Sequence, residues 1–596
     1  MKLRIALATI NPTVGALAAN ANLILDAWRR ARADGADIVV TPEMGLTGYP
    51  LQDLTQHRDF LADVADARDA LIAAIAKEGH GPGLVFGHPT DTGLEDGNRI
   101  LVYNSATLYD PGTGDTHLVH KRELPNYGVF DEKRNYLEGP PPKAVRFRAS
   151  RLGIMICEDG WTPDVAAALA ADGADALLWI NGSPYAQGKN VVRRQHAAHR
   201  VTETGLPAAY VNLVGGQDEL VFDGDTFVGD DATFLQNGLF EAGTMTHDFG
   251  LGRAARSGAW PEFPATGSGE TYRAVVLALR DYATKQGFVS IAIAKSGGLD
   301  SAIAASIAVD ALGPDAVHLV RLPSGVSSSH SLTDAAACAR LLGCHMRTFA
   351  IGPVVDAVHG LFTGTVYDTP RPACAADRAL GLTAENIQPR VRGMVMMAIS
   401  NSEGHLVVTT GNKSEIAVGY TTIYGDMVGG FNVLKDLFKT EISVAAGRYM
   451  PDGSTPRAEA DVAALSALHG PGLVQWRNAL SAEALVRYGL RGPAGRTVPL
   501  AIEIKEPSAE LAEGQRDADS LGEYPDLDRV LEALVERMHG VRSLGGGEAE
   551  QAYARRINRL VGRAEYKRRQ GAPGPKVSSM HFGGDRRMPI TNAWSG

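Results

Sequence analysis

The stretch AIAKSGGLDSAIAASIAVDALG, residues 292–313, decides the fold of the second half of this chain. A short apolar run predicts a buried strand, and an alanine-rich run after it has helical spacing. Between them lies the hexapeptide SGGLDS, residues 296–301. A strand, a glycine loop and a helix in this order are typical of phosphate sites in open α/β sheets, because N–H groups at a helix start attract anions.

The chemistry of the hexapeptide sets it apart from the common nucleotide loops. No Gly-Lys-Ser/Thr closes it, and the G-x-G-x-x-G spacing is missing. Gly297 and Gly298 allow a close approach of backbone N–H groups to an anion, and two serines add hydroxyl donors. The carboxylate of Asp300 would repel phosphate, so it predicts a metal ion between them. A tight β–α turn capped by an aspartate is the structural alternative.

The hexapeptide resembles the pyrophosphate loop of the N-type ATP pyrophosphatases, which activate a carboxylate or carbonyl as an adenylate. The resemblance implies that the loop binds ATP and that Asp300 holds Mg²⁺; the ATP-binding residues are Ser296, Gly297, Gly298, Leu299, Asp300 and Ser301. The family usually has a small and an apolar residue, often Gly-Leu, before the loop. This chain has Ala294-Lys295 instead, so Lys295 either adds charge near the phosphates or points outward.

Three later stretches, residues 382–440, 505–532 and 565–592, resemble the synthetase domain of NAD synthetases. Residues 405–412, HLVVTTGN, read as a strand ending in turn residues, which places Thr410 and Glu415 at a ligand-binding sheet edge. The resemblance implies that Thr410 contacts ATP and that Glu415 joins Asp300 around Mg²⁺ or the dinucleotide. It also implies deamido-NAD⁺ contacts at Asn386, Glu415, Tyr420, Thr421, Thr422, Ile423 and Lys567.

An amide-forming synthetase needs unprotonated ammonia, and three residues in the first 245 could supply it from glutamine. Glu43, Lys121 and Cys157 each lie near the end of a predicted strand. A cysteine needs a nearby base to become a nucleophile, so Glu43 could take its proton while Lys121 stabilises the oxyanion. Taken singly, each residue is better explained by packing, since a strand-end cysteine is often a small buried hydrophobe.

Together the three match the Glu-Lys-Cys constellation of the nitrilase-like carbon–nitrogen hydrolases. This resemblance extends over nearly the whole first domain, and it implies a glutamine pocket that contains Tyr127, Ser183 and Lys189.

The predicted fold class is α/β throughout, in two domains. Residues 1–245 form a nitrilase-like αββα sandwich, residues 246–269 a Gly/Pro/Ala-rich linker, and residues 270–596 a Rossmann-like, doubly wound parallel sheet with a helical tail. A length of 596 residues agrees with more than one core.

Composition limits the remaining possibilities. A net charge of −10 argues against a general nucleic-acid binder, and four scattered cysteines argue against a disulfide framework. We see no secretory h-region and no apolar run long enough to span a membrane. We therefore expect a cytoplasmic protein. The family resemblance implies a homo-oligomer, with an octamer among its arrangements, and small-molecule partners only.

The two resemblances imply a glutamine-hydrolysing NAD⁺ synthase with ATP as co-substrate and Mg²⁺ as cofactor. The fusion of both activities in one chain predicts an internal passage for ammonia. The nearer alternative is another glutamine-dependent ATP pyrophosphatase, making GMP or asparagine. Asparagine synthetases use an N-terminal Cys, whereas Lys2 follows Met1 here, and no G-x-C-x-G glutaminase elbow occurs. The more distant alternative, a tRNA-modifying ATP pyrophosphatase, usually shows paired cysteines and a basic surface. A non-catalytic ATP sensor would need neither Glu415 nor Cys157.

Overall fold

A computed structural model describes residues 2–229, 234–236, 238–252, 267–363, 380–512 and 514–594. The chain divides into two compact units, Met1–Thr266 and Gly267–Gly596.

The described part of the first unit contains fourteen strands and five α-helices. The strands are β1 Lys2–Thr9, β2 Ile38–Val40, β3 Gly83–Asp96, β4 Arg99–Tyr109, β5 Thr116–His120, β6 Val145–Phe147, β7 Ser150–Ile156, β8 Ala176–Asn181, β9 Ala208–Asn212, β10 Val214–Gln217, β11 Leu220–Asp223, β12 Phe227–Gly229, β13 Phe234–Gln236 and β14 Gly243–Gly250. The helices are α1 Leu17–Ala33, α2 Arg58–Glu78, α3 Glu132–Asn135, α4 Pro163–Ala171 and α5 Lys189–Thr204.

Two sheets form the centre of this unit, with strand orders β14-β1-β2-β3-β4-β5 and β13-β12-β9-β8-β7-β6, and β10 pairs with β11 separately. The side chains along β1 point alternately to the two faces of its sheet and show how the layers pack. Ile5 and Leu7 belong to the apolar core that also contains Ile154 and Ile180 of the other sheet. Their neighbours on the opposite face pack against α1 and α2, while α4 and α5 cover the second sheet. The layers are therefore α, β, β, α, as predicted.

The linker begins later than residue 246. Residues 246–250, predicted as its first part, form the last five of the eight residues of β14, which pairs antiparallel with the whole of β1. This pairing joins segments more than 230 residues apart, so no local pattern announces it. Most of the predicted linker, residues 253–266, lies outside the described residues, as does Cys374.

The second unit contains five strands and fifteen α-helices in its described part. The strands are β15 Ile291–Ala294, β16 Val317–Arg321, β17 His345–Thr348, β18 Leu406–Thr409 and β19 Phe431–Asn432. The helices are α6 Ser268–Lys285, α7 Leu299–Leu312, α8 Ser329–Leu342, α9 Gly352–Thr363, α10 Leu380–Glu403, α11 Lys413–Val418, α12 Lys439–Ile442, α13 Glu459–His469, α14 Leu473–Asn478, α15 Ala482–Arg487, α16 Leu500–Glu503, α17 Asp517–Leu521, α18 Tyr524–Leu531, α19 Glu548–Arg563 and α20 Glu565–Arg568.

The strand order of this unit is β17-β16-β15-β18-β19, and every pairing in it is parallel. The chain moves outward from β15 to β17 on one side and then returns to β18 on the other. The loops after β15 and β18 therefore diverge at a topological switch point, where open sheets bind ligands. The predicted doubly wound sheet is confirmed.

The helical tail builds its own apolar cluster against the sheet domain. Val418 of α11 packs there with Leu527 of α18 and Ile557 of α19. None of the helices in the described ranges is both long and apolar enough to cross a membrane.

Candidate active sites

In the first unit, a buried lysine lies between two glutamates. Glu43 follows β2, Lys121 follows β5, and Glu132 begins α3. The Nζ atom of Lys121 is 2.8 Å from Oε1 of Glu43 and 2.7 Å from Oε2 of Glu132. All three residues are at most 2% exposed, so their charges interact with little screening by water.

Glu43 is fixed by one donor from β4 and one from the residue that follows β8. Its Oε1 accepts a hydrogen bond from Nδ2 of Asn104 at 2.7 Å, and its Oε2 accepts one from the backbone N–H of Gly182 at 2.7 Å. The carboxylate therefore has a single orientation, as a catalytic base requires.

Cys157 occupies a sharp turn at the end of β7. It begins a 3₁₀ turn, Cys157–Gly160, and its φ of 48° lies in the left-handed region that residues with side chains rarely adopt. The Nε1 atom of Trp179 donates to the Cys157 carbonyl at 2.7 Å and helps to hold this conformation. Backbone strain of this kind often occurs where a side chain must be aimed at a substrate.

The electrostatics of this cluster define its resting protonation state. Burial raises the pKa of the Cys157 thiol, and the carboxylate of Glu43 raises it further, while Lys121 opposes both. Burial lowers the pKa of Lys121, but Glu132 and Glu43 outweigh that effect and raise it. Burial also raises the pKa of Glu132 to about 7, against the opposing charge of Lys121. At neutral pH the cluster thus holds a neutral thiol beside a charged lysine, and the thiol needs a base.

One further carboxylate connects the segment before Cys157 with the segment after Lys121. Asp159, 2% exposed, accepts hydrogen bonds from the backbone N–H groups of Ile156, Arg122 and Glu123 at 2.9, 2.9 and 2.8 Å. Ile156 directly precedes Cys157, and Arg122 directly follows Lys121. Burial raises the pKa of Asp159 to about 7. Its ionised form therefore ties the segments beside Cys157 and Lys121 together.

The predicted glutamine-pocket residues lie around this cluster in different ways. The hydroxyl of Tyr127, which is exposed, donates to the carboxylate of Glu158 at 3.0 Å. Lys189 begins α5, and its Nζ lies 5.6 Å from the ring centre of Phe130. Ser183 is buried, and its Oγ accepts a hydrogen bond from Nε of Arg193 at 3.1 Å. The structure thus brings Tyr127 to a carboxylate and places Ser183 within the protein interior.

In the second unit, the predicted phosphate loop borders a pocket of about 280 Å³ at the switch point between β15 and β18. The predicted residues that line it are Ser296, Gly298, Leu299, Asp300, Ser301, Thr410, Glu415 and Tyr420. Gly297 supports the loop from behind: its φ is 86°, and a Cβ there would lie 2.3 Å from the carbonyl oxygen of Ser331. No other residue fits that position.

Asp300 and Glu415 share one ammonium group. The Nζ atom of Lys439 is 2.5 Å from Oδ2 of Asp300 and 3.3 Å from Oε1 of Glu415. Tyr524 donates from its hydroxyl to Asp517 at 3.0 Å, which adds a third carboxylate nearby. Burial raises the pKa of Glu415 to about 8; Lys439 opposes this shift, whereas Asp300 and Asp517 add to it. The carboxyls here therefore outnumber the one ammonium group that pairs with them, and this crowding contributes to the raised pKa of Glu415.

This arrangement has the donor set for a divalent cation shared with a ligand. Oδ1 of Asp300 is buried and accepts no hydrogen bond from the described residues. Within the same ranges, no group of three or more His, Cys, Asp or Glu side chains is arranged to hold a metal ion alone. One or two carboxylates that rely on phosphate oxygens for the remaining ligands are typical of Mg²⁺ sites.

Of the residues predicted to contact the dinucleotide, Glu415 and Tyr420 line this pocket and the others do not. Thr422 donates from its hydroxyl to Oδ1 of Asn386 at 2.7 Å. Lys567 donates to the carbonyl oxygens of Gly419 and Thr421 at 2.8 and 2.7 Å, so it holds the loop that carries Tyr420, Thr421, Thr422 and Ile423. In this structure the Lys567 ammonium group is bound to backbone carbonyls, and its contact with deamido-NAD⁺ stays a prediction.

Comparison with known proteins assigns both units. The carbon–nitrogen hydrolase family model matches residues 4–257, and the NAD synthase model matches residues 271–451 and 483–571. The glutamine-dependent NAD⁺ synthetase of Rhodobacter capsulatus is 42% identical to this chain, over 100% of the chain and 99% of that protein. The chain belongs to the glutamine-dependent NAD⁺ synthetase family. The predicted resemblance is confirmed, and it favours this family over the other pyrophosphatases considered.

Solved structures of glutamine-dependent NAD⁺ synthetases agree with this assignment. The protein of Acinetobacter baumannii, determined in complex with adenosine diphosphate, is 31% identical and superposes with a TM-score of 0.67 over 100% of this chain and 99% of that one. The protein of Cytophaga hutchinsonii, 18% identical, has a TM-score of 0.74 over 100% and 98%. At 18% identity, the similarity to this second structure supports the fold only.

For this synthetase, sequence reasoning missed several residues that complete the two sites. They are Asn104, Glu132, Glu158 and Asp159 in the first unit, and Lys439, Lys505 and Asp517 in the second. The signal for Glu132 was present, since it is an acidic residue eleven positions after Lys121 in the same loop segment. Lys439 carried no such signal, because only the tertiary fold brings it to Asp300.

Proposed function

We propose that this protein makes NAD⁺ from deamido-NAD⁺, with ATP as activator and glutamine as nitrogen donor. The products are NAD⁺, AMP, pyrophosphate and glutamate. The observation that carries the proposal is the presence in one chain of two complete sets of side chains. The Glu43–Lys121–Cys157 cluster suits amide hydrolysis, and the Ser296–Ser301 pocket suits release of pyrophosphate.

In the glutaminase reaction, the sulfur of Cys157 attacks the amide carbon of glutamine while Glu43 takes the thiol proton. Lys121 stabilises the oxyanion of the tetrahedral intermediate. The carbon–nitrogen bond then breaks, Glu43 passes the proton to the leaving nitrogen, and ammonia departs from a thioester. A water molecule that loses its proton to Glu43 hydrolyses the thioester to glutamate and regenerates the thiol. The raised pKa of Cys157 agrees with proton removal during attack rather than before it.

The ends of glutamine require opposite charges in the pocket. We assign its ammonium group to Glu158, whose carboxylate already accepts from Tyr127, and its carboxylate to Lys189. Burial raises the pKa of Glu158, and the positive charge of Lys189 partly opposes that rise. The two charged groups are therefore close enough to interact. Ser183, held by Arg193, contributes to the wall of this pocket.

In the synthetase reaction, the nicotinate carboxylate of deamido-NAD⁺ attacks the α-phosphorus of ATP, and pyrophosphate leaves. The loop Ser296–Ser301 holds this leaving group through backbone N–H groups and hydroxyls. Ammonia then attacks the carbonyl carbon of the adenylate, AMP departs, and the extra proton passes to solvent. Asn386 and the loop 420–423, braced by Lys567, hold the dinucleotide.

Asp300 and Glu415 are the residues that would hold Mg²⁺. When bound, the ion neutralises the charge that grows on the leaving pyrophosphate. The residues of this chain then orient the phosphates, and Lys439 keeps the two carboxylates in place before a ligand arrives.

Ammonia has to reach the adenylate before water protonates it, so we propose a protected passage between the two active sites. We also propose a cytoplasmic homo-oligomer, in line with the family resemblance and the substrates. Light scattering of the purified protein would test the oligomeric state.

The function is tested by incubating the protein with ATP, Mg²⁺, glutamine and deamido-NAD⁺ and quantifying the products. NAD⁺, AMP, pyrophosphate and glutamate should form together, and no NAD⁺ should form when ATP is left out. Formation of ADP in place of AMP, or amidation without ATP, would contradict the proposed chemistry.

A further inference from the structure

Lys295, which departs from the usual lead-in of the phosphate loop, points inward. It follows β15 directly, is 1% exposed and lines the phosphate pocket. Its Nζ donates to Oγ of Ser301 at 3.1 Å. The side chain therefore reaches the pocket from the strand end.

Lys295 differs from the other lysines of the pocket in its ion pairing. Lys439 is paired with Asp300 and Glu415, and Lys505 lies 3.1 Å from Glu510. No carboxylate of the described residues lies within ion-pair distance of Lys295. Burial lowers its pKa, and Cys338, Asp334 and Asp300 oppose that shift without reversing it. A buried cation without an ion-pair partner is rare in folded proteins, and it is stabilised when an anionic ligand enters.

The hydrogen bonds around Lys295 connect it to the whole loop. Oγ of Ser301 is 3.2 Å from Oγ of Ser296, and Ser296 in turn accepts from the backbone N–H of Gly298 at 3.2 Å. The fourteen-residue helix α7 begins at Leu299, so its N-terminal dipole acts at the same point. Lysine, hydroxyls and helix start thus converge on one anion-sized location.

We propose that the ammonium group of Lys295 binds the β- and γ-phosphates of ATP and holds the pyrophosphate as it leaves. The inference rests on the proposed function, because it assigns a leaving-group contact to that reaction. As the bond from the α-phosphorus to the bridging oxygen breaks, its electron pair stays on the β-phosphate. Lys295, whose side chain is buried, faces the negative charge that develops there.

The test uses the full chain with the substitution Lys295→Met, which keeps length and removes charge. Calorimetry with Mg²⁺ present should show affinity for inorganic pyrophosphate reduced by at least about tenfold, and affinity for AMP within about twofold of the parent. Lys295→Arg should recover part of the loss, and Lys77→Met, at an exposed site on α2, should change neither. Unchanged pyrophosphate affinity, or equal losses for pyrophosphate and AMP, would overturn the inference.

A second measurement needs no substitution. Acylation of Lys295 in the parent protein, followed by mass spectrometry, should slow when pyrophosphate is added and should not slow with AMP. Equal protection by both ligands, or none by either, would contradict the contact. Failure of the Lys295 contact can be distinguished from failure of the proposed function. NAD⁺ formation by Lys295→Met with an unchanged KM for ATP would reject only the lysine. A protein that binds pyrophosphate through Lys295 but makes no NAD⁺ would reject only the proposed function.

Discussion

The ammonium group of Lys121 lies 2.7 Å from Oε2 of Glu132, a buried carboxyl whose pKa burial raises to about 7. Two ionisations near neutrality therefore govern the glutaminase cluster, since burial also raises the pKa of Asp159 to about 7. Because both pKa values are raised, both groups are protonated below about pH 7 and ionised above it. Ionised Glu132 holds Lys121, and ionised Asp159 holds the segments beside Lys121 and Cys157.

The first prediction is a steep acid limb for glutaminase activity. On a logarithmic plot, kcat/KM for glutamate formation should fall below about pH 7 with a slope approaching 2, since the two carboxyls take up protons. Glu132→Gln should reduce that slope toward 1 and lower kcat/KM above pH 7 by about tenfold to a hundredfold. Glu138→Gln is the matched control, because Glu138 is an exposed glutamate of the same segment, paired with Arg122 at 2.7 Å. An unaltered slope in Glu132→Gln would exclude the role of this carboxyl.

The second prediction concerns Asp300. Asp300→Asn keeps the shape of the side chain and removes the charge, so NAD⁺ formation should fall by about a hundredfold or more with glutamine and with ammonium alike. Affinity for ATP should fall less than turnover, because the interaction strengthens as the pyrophosphate charge develops. Asp315→Asn, an exposed aspartate before β16, should behave like the parent. Normal turnover in Asp300→Asn would mean that Asp300 only caps the helix.

The local parts of this fold were predictable, and the long-range parts were not. The strand, loop and helix from Ile291 to Leu312 follow from neighbouring residues alone, because an apolar run, two glycines and an alanine-rich run each favour one conformation. Strand β14 has no continuous apolar run, and only its pairing with β1 makes it a strand. For this reason the sequence pattern predicts a linker at residues 246–250, where the structure has a strand.

The same division applies to the sites. Glu43, Lys121 and Cys157 each follow a strand, so sequence patterns placed them at sheet ends where they could meet. Their hydrogen-bond and ion-pair partners are not marked by strand ends: Asn104 lies within β4 and Glu132 in the short helix α3. Lys439, which pairs with Asp300 across 139 residues, could not be found without the tertiary structure.

The third prediction is that ammonia does not equilibrate with solvent on its way to the adenylate. In bulk water it would be protonated and diluted, and the adenylate would be exposed to hydrolysis. With amide-¹⁵N-glutamine and a large excess of unlabelled ammonium, NAD⁺ should retain most of the label in mass spectra. A label fraction equal to the bulk isotope ratio would show that the ammonia is released freely.

The central claim is that one chain contains two separable sites linked by ammonia, and Cys157→Ala tests it most directly. The variant should lose glutamine-supported NAD⁺ formation by at least about a thousandfold, since no nucleophile remains. With ammonium at alkaline pH it should form NAD⁺ at the rate of the parent protein. Cys344→Ala, which alters a half-buried cysteine outside both sites, should keep both activities. Loss of both activities in Cys157→Ala, or survival of the glutamine-supported one, would contradict the account.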